Sequence, residues 1–481
     1  MLTRLSVIGE MERHTVLKEG QQRGALNSKG LIGVVVLATV LMASLAAAQP
    51  VTSVVLLGAA MVLWFILSAP SGVILAALIG VFAFVPMHYM PLPQPFGTIT
   101  PTLLAVVAVA VLRPTHPKSW LPKTAYLFGG AFIVYLVILA FLGSSASIQY
   151  TLAWTVAISI ALVVAPLSVG KAADLQTVLG ALFVTGLILA TYGFIEFALM
   201  ANPLADFFSS SSSALTQKWG VYRIMTTLGH PLLNATFFAL VAVSSFASFI
   251  LARGRLSIFA FAMSAGAVLL TSSRGGLVAL GLGCAVALLL VFRRLNGHRI
   301  LRIMVLAVPI ILGLALSLAS SVEARSNTSE GQGSAGLRLA YMHLVPTLLR
   351  ATGFLGSGAA TSDSVLKEFG GGLARYPLES SLAQAIVSFG VPGTIFLAMF
   401  VLIVVGATLR RGAIVGPSML AAYVVAASGY NLLEAYPGAL LLPMMCLMVC
   451  IMEAERGSAC VDLRKGGSPL RLSSSHVSEV K

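Results

Sequence analysis

The residues best placed to do chemistry are a few charges and hydroxyls stranded among apolar segments. Glu196 closes one apolar run, Arg274 occupies a short turn between two others, and Glu434 lies between the last two. An ionisable group in such a place is costly to keep and is a functional candidate by default; for Glu196 and Arg274 the alternative is a structural ion pair or side chains that reach up to the headgroups. Arg274 belongs to Thr271-Ser272-Ser273-Arg274-Gly275-Gly276, where three hydroxyls (Ser273 nearest), a guanidinium and two glycines open a helix. Exposed amides at a helix N-terminus beside a planar fork donor suit phosphate or diphosphate. A second landmark is Tyr222-Arg223, followed by Gly229-His230-Pro231. Pro231 fits a first helical turn, which turns His230 towards the same surface as Arg274, either as a cap or as a catalytic group. Arg338 begins a further helical stretch, with Tyr341 one turn on. Singly, Arg338 reads as part of a solvated face. Together, Arg223, Arg274 and Arg338 carry about the positive charge that a headgroup with two phosphates requires.

The elements that must position these residues are set by composition. The chain has 481 residues, 58% of them apolar and only 10% charged, with a mean hydropathy of +0.96. That excludes a soluble globular domain and a disordered protein. A membrane helix needs roughly 20 apolar residues to cross about 30 Å of hydrocarbon, so the fold class is all-α, a polytopic integral membrane protein. About 14 apolar segments are legible, at 31–48, 51–69, 72–88, 98–112, 124–142, 151–168, 174–199, 230–252, 257–271, 276–292, 302–320, 382–409, 413–430 and 437–453. An even number puts both termini on one side. With that side cytoplasmic, all of the 30 basic residues fall inside except Lys218, Arg223, Arg274, Arg325, Arg338, Arg350, Lys367 and Arg375. This asymmetry fixes the orientation and accounts for the net charge of +14 without nucleic acid. Four cysteines, three of them in apolar runs, exclude a disulfide-stapled scaffold.

The expected organisation is a cytoplasmic tail (1–30), transmembrane helices 1 to 11 (31–320) with an outer loop at 200–229, a large outer loop (321–381), helices 12 to 14 (382–453) and a second cytoplasmic tail (454–481). Ala46, Ala47 and Ala48 imitate a signal-peptidase site, but thirty mostly polar residues precede the run and Pro50 leads into another apolar segment, so a helical hairpin is expected instead. Both tails are polar and are expected to be disordered. The loop at 200–229 has a run of serines, Ser209 to Ser213, before its tethered end. The large loop has helical spacing from Leu337 to Leu349 with a kink or break at Pro346, then a Gly353 to Gly358 turn, a short segment at Val365 to Phe369, and Gly370-Gly371-Gly372 as a joint. The run from Leu382 to Leu409 exceeds what one bilayer needs, so that helix is expected to project or tilt.

From about Tyr222 to Phe400 the chain resembles the O-antigen ligase and O-antigen polymerase superfamily of bacterial membrane glycosyltransferases. The resemblance rests on Arg223 followed by Gly229-His230-Pro231, on Ser273-Arg274-Gly275, on Arg338 in the large loop, on the Gly353 to Gly358 turn, and on Glu379-Ser380, nine residues, then Gly390-x-x-Gly393. It implies a periplasmic outer side, an undecaprenyl-diphosphate-linked glycan donor and a glycan acceptor, with inversion at the anomeric carbon. It further implies Glu379 as the catalytic group that takes the acceptor proton and Arg223, Arg274 and Arg338 on the diphosphate; His230, Ser273, Tyr341, Glu434 and Glu196 are supporting candidates from their own placement in the sequence. The ligase-type pattern has a histidine before the serine. Relatives that polymerise repeat units vary there, so Glu379 points to a polymerase; its structural alternative is a helix cap or a pair with Arg375. No metal or organic cofactor is called for. The bilayer and other polysaccharide assembly proteins are the expected partners, with no nucleic acid. Ligation of a finished glycan to lipid A-core or another acceptor is the alternative within the class. A flippase or transporter, which would show two related halves and midplane charges, and a non-catalytic scaffold are the alternatives outside it.

Overall fold

A computed structural model describes residues 71–84, 121–142, 145–159, 161, 172–204, 221–252, 254–292, 329–371, 378–434 and 437–466. No strand occurs among them. The helices are α1 (Ser71–Phe84), α2 (Lys123–Leu142), α3 (Ser145–Ser159), α4 (Ala172–Leu199), α5 (Pro231–Ala252), α6 (Arg255–Leu270), α7 (Arg274–Phe292), α8 (Ser329–Ala351), α9 (Ser362–Phe369), α10 (Ser381–Arg410), α11 (Val415–Ser428) and α12 (Leu441–Gly466), the last preceded by a 3-10 turn at Pro437–Leu440. Six helices are long and apolar enough to cross a membrane, and α1, α6 and α11 are shorter apolar helices. The expected segments at 31–48, 51–69, 98–112 and 302–320 lie outside the described residues, so the full count of 14 is not carried forward.

Helix α5 is the axis of the bundle. It packs against α4, α6, α7 and α11, and 83% of its spanning window is buried, against 28% for α10 and 33% for α2. In a bilayer an apolar side chain gains nothing by hiding from lipid, so close approach depends on small residues. Gly283 of α7 is such a point: a Cβ there would lie 2.5 Å from Val243 of α5 and 2.9 Å from Ala422 of α11. Helices α2, α3 and α10 meet through three rings, with Phe132 edge-on to Trp154 and Phe389 at 5.9 and 5.3 Å, and Trp154 edge-on to Phe389 at 5.1 Å.

The large loop is a helical cap. Helix α8 runs eight residues further towards the N-terminus than the apolar spacing from Leu337 suggested, and it passes through Pro346 without ending. Tyr341 and Leu348 of α8, Val365 and Leu366 of α9, Leu378, and Val387 of α10 form one buried cluster, so the cap is packed onto the long helix. Residues 372–377, including Gly372 and Arg375, lie outside the described residues.

One expectation is corrected, and one element holds a feature that its spacing did not show. The long run from Leu382 to Leu409 is broken inside, because Gly390 adopts φ 64 and ψ −173 within α10. Pro392 has no N–H to give to Ser388 O four residues back, and that carbonyl instead accepts from Gly358 N at 2.9 Å, while Val391 N donates to Phe354 O at 3.0 Å. The Gly353 to Gly358 turn is thus seated in the break of α10. The tail from 454, expected to be disordered, is helical at its start, since α12 continues to Gly466. Once a helix exists, good formers such as Ala454, Glu455, Arg456 and Leu463 extend it at little cost, and Glu453 accepts from Gly416 N at 3.2 Å, which ties this end to α11.

Candidate functional site

The segment 222–228 is irregular backbone at a helix end, so each of its polar groups must find a partner in the protein. Glu196, fully buried at the end of α4, supplies most of them: one carboxylate oxygen accepts from Met225 N at 2.8 Å and Tyr222 OH at 3.1 Å, the other from Thr226 N at 2.8 Å. Asn202 donates to Thr226 O at 3.1 Å, and Asn234 of α5 accepts from the Thr226 hydroxyl at 2.5 Å and donates to Met225 O. Glu196 is therefore the clamp of the Arg223 segment. Arg223 itself is 5% exposed, and its Nε donates to Thr271 O at 2.8 Å. Ile224 N donates to Leu270 O at 3.4 Å. These bonds bring Arg223 to the turn that carries Arg274.

That turn ends α6 and starts α7. Ser272 takes φ 50, which reverses the chain, and Ser273 Oγ accepts from Gly276 N at 3.1 Å as the N-cap. Arg274 is then the first helical residue, half-buried, beside the positive end of the α7 dipole. The two glycines have different work. A Cβ at Gly276 would lie 2.8 Å from Ala235 of α5, whereas one at Gly275 would meet nothing within 4 Å. Gly276 lets α7 approach α5, and Gly275 leaves the space beside Arg274 open.

His230 precedes Pro231 and caps α5, its Nδ1 accepting from Leu232 N at 3.2 Å. That acceptance leaves the ring proton of the neutral imidazole on Nε2. Gly229 makes this entry possible at φ 72, a conformation that favours glycine. The His230 ring stacks on Tyr430, with centroids 5.0 Å apart and planes 14° from parallel, and Tyr430 OH lies 3.0 Å from Nδ1. Tyr430 also reaches the start of α10: its carbonyl accepts from Ser381 N at 2.9 Å and Ser381 Oγ at 2.6 Å. Ser381 Oγ in turn accepts from Leu432 N at 2.7 Å. A chain of contacts thus joins the arginine segment, His230, Tyr430 and the N-terminus of α10.

Glu379 stands at that N-terminus, half-buried. Leu378 before it is fully buried in the cap cluster, and Leu378 N donates to Asp363 at 3.2 Å. Ser380 after it is the N-cap, accepting from Ala383 N at 3.4 Å. The backbone of Glu379 is thereby fixed on both sides, and the capping that Glu379 itself was expected to provide as its structural role is done by Ser380. Arg375, its expected alternative partner, lies outside the described residues.

Glu434 lies lower, opposite Ser388. Its carboxylate accepts from Ser362 Oγ at 2.5 Å and from Ser388 Oγ, and its own carbonyl accepts from Tyr150 OH at 2.6 Å. It holds α9, the break in α10 and α3 together. Burial first, then the nearby Asp363, push its carboxyl up to about 7, against the lowering effect of the two serine hydroxyls. The fold therefore favours the protonated acid. The stabilisation is fully present below the ordinary value near 4.5 and is lost as pH rises through about 7, since the unfolded chain ionises first. Glu434→Gln is expected to flatten this dependence and to raise the unfolding temperature at pH 8, by at most about 3 kcal/mol. Thermal unfolding in detergent between pH 5 and 8 measures it; an unchanged pH profile in the variant would refute the assignment.

Of the other candidates, Tyr341 is 3% exposed in the cap cluster and Arg338 lies one turn before it on α8. Tyr430, Ser381, Ser388, Ser362 and Tyr150 were not singled out from the sequence. Serines and tyrosines near apolar runs are ordinary there, and only the fold shows which of them converge.

Residues 259–398 match the family model described as O-antigen ligase (Wzy_C). The match takes in Ser273-Arg274, the cap, Glu379 and the break in α10. Arg223, His230, Tyr430 and Glu434, joined to that region by the contacts above, lie outside it. No curated protein matches the chain.

Proposed function

We propose that this chain, of which residues 259–398 match the O-antigen ligase family model, is a member of the O-antigen ligase and O-antigen polymerase superfamily and polymerises a cell-surface polysaccharide (O-antigen, capsule or exopolysaccharide) at the bacterial inner membrane. The donor is glycan on undecaprenyl diphosphate and the acceptor is a sugar hydroxyl of a second lipid-linked unit, with inversion at the anomeric carbon. The observation that carries this reading is convergence. Arg223, far from Arg274 in sequence, donates to the Thr271 carbonyl of the turn that leads into Arg274, and the Glu379 helix start is linked to the Arg223 segment through Tyr430 and His230. Two guanidinium groups neutralise the departing diphosphate, and the α7 dipole adds to them. Glu379 takes the proton of the attacking hydroxyl.

The placement of charge supports a periplasmic site with both termini in the cytoplasm. The site end of the bundle carries Arg223, Arg274, Arg338 and Arg350, and the opposite helix ends carry Lys123, Arg255, Arg410, Arg411 and Arg456. Ligation of a finished glycan to lipid A-core uses the same donor chemistry and is the second reading. The species that accumulates in a deletion strain separates them: single lipid-linked repeat units indicate a polymerase, long lipid-linked chains a ligase.

For the diphosphate site, Arg274→Lys is expected to lower turnover about 10²-fold although charge is retained, because an ammonium cannot present the planar two-pronged donor. Arg223→Ala should lose at least as much, together with its tie to Thr271. The check is polymer formed from purified lipid-linked repeat units at matched protein levels, and full turnover by both variants removes the proposal.

A further inference from the structure

The first turn of α10 holds a side chain that the argument above leaves unused. Gln384 is 0% exposed, and neither its amide oxygen nor its amide nitrogen has a hydrogen-bond partner. A primary amide offers two donors and an acceptor with two lone pairs, and burying it unmatched forfeits its hydration with nothing gained in return. A leucine or methionine would fill the same space more cheaply. Other buried atoms without a partner, such as Ser245 Oγ and Ser264 Oγ, are single hydroxyls in the interior of α5 and α6. Gln384 is a whole amide beside the proposed site.

Its direction follows from helical spacing. Ser381, three residues before, and Ser388, four residues after, share its face of α10, and both meet the segment 430–434: Ser381 through Tyr430 and Leu432, Ser388 through Glu434. Gln384 therefore faces the same segment between those two contacts, below Tyr430 and above Glu434. It lies one turn inside the helix start that carries Glu379.

We propose that Gln384 is a specificity-determining residue that reads the acceptor sugar, its amide exchanging hydrogen bonds with ring hydroxyls next to the attacking one. The inference rests on the glycosyl-transfer reading. A hydroxyl both donates and accepts, so a pair of neighbouring hydroxyls satisfies an amide's C=O and NH₂ together. A site with such a group left unmatched in the empty state discriminates strongly, because an acceptor lacking the hydroxyl leaves the amide unmatched still. The amide is covered in the closed arrangement described here. Acceptor entry accordingly parts the segment 430–434 from α10, a joint made by the hydrogen bonds of Ser381 and Ser388.

The test compares wild type with Gln384→Met and Gln384→Leu, purified in detergent, using the lipid-linked repeat unit extracted from cells lacking this protein as donor at a fixed saturating concentration and, as the varied acceptor, the same repeat-unit glycan as a simple alkyl glycoside, which has no diphosphate and cannot donate. Unfolding temperature is measured first, then transfer as a function of acceptor concentration. The expected result is an unfolding temperature unchanged or raised, an acceptor KM raised about threefold to tenfold, and kcat changed much less. An unchanged KM in either folded variant overturns the proposal. So does a lowered unfolding temperature in both, which would make the amide a structural element. A wild type that transfers no glycan under these conditions overturns the glycosyl-transfer reading and this proposal with it, whereas an active wild type with unchanged variants overturns the assignment of Gln384 alone.

Discussion

Glu379→Gln is expected to lower polymer formation by about 10² to 10⁴, the usual cost of removing a general base, with folding left intact. The substitution keeps size and shape, and the N-cap of α10 is Ser380, so no cap is lost. The carboxylate sits half-buried at the start of α10. Its backbone is held by the buried Leu378 on one side and the capping Ser380 on the other, so the carboxylate has a defined position from which to meet a hydroxyl. Glu379→Asp should keep partial activity, and Glu379→His should gain as pH rises and the imidazole becomes neutral. The assay is transfer between purified lipid-linked repeat units at matched protein levels. Full activity in Glu379→Gln would refute the base assignment and leave the proton to an accepting group on the substrate itself, because His230 Nδ1 already accepts from Leu232 N and its Nε2 carries the ring proton.

How far the fold was legible depended on which physical signal each part leaves in the chain. Apolar runs announce themselves, because lipid demands long stretches without charge, and α2, α4, α5, α7 and α10 fall within a few residues of the runs that suggested them. The Arg274 turn was legible in part: the hexapeptide marks a helix N-terminus, and the fold adds that Ser273 is its cap and Arg274 its first residue. What the chain does not display is pairing across sequence distance. Nothing local marks Tyr430 as the partner of both His230 and Ser381, or Glu196 as the clamp of a segment thirty residues away. Glu196 and Glu434 stood out because a carboxylate is expensive among apolar residues, which identifies the residue and leaves its partners open. Both carboxylates turn out to bind neighbouring backbone or hydroxyls and to hold irregular segments in place. Gln384 was visible only as a letter between two motifs; its unmatched burial is a property of packing.

The break in α10 gives the largest expected effect on stability. Gly390 combines φ 64 with ψ −173, a region that is essentially closed to residues with a side chain and costs about 1–3 kcal/mol to impose. A Cβ there would also lie 2.3 Å from Leu355 C and 2.5 Å from Gly356 N, atoms of backbone that cannot rotate aside. Gly390→Ala must therefore push the Gly353 to Gly358 turn out of the break, which releases the bonds from Gly358 N to Ser388 O and from Val391 N to Phe354 O, at about 1 kcal/mol each or more where water is absent. The expected loss is of order 3–5 kcal/mol, in the range reserved for a few severe mechanisms. Gly356→Ala should behave alike, since its Cβ would lie 2.4 Å from Gly390 N at φ 88. Gly353→Ala is the control for backbone conformation alone: its φ is 61, yet a Cβ there meets nothing within 4 Å, so a loss of only about 1–2 kcal/mol is expected. Because Gly390 and Gly356 form one joint, the double variant should cost little more than either single one. Unfolding temperatures of the four variants and the wild type in detergent decide it. A Gly390→Ala protein that melts with the wild type would mean that the seated turn does not hold α10, and with it Ser388 and Glu434, in place.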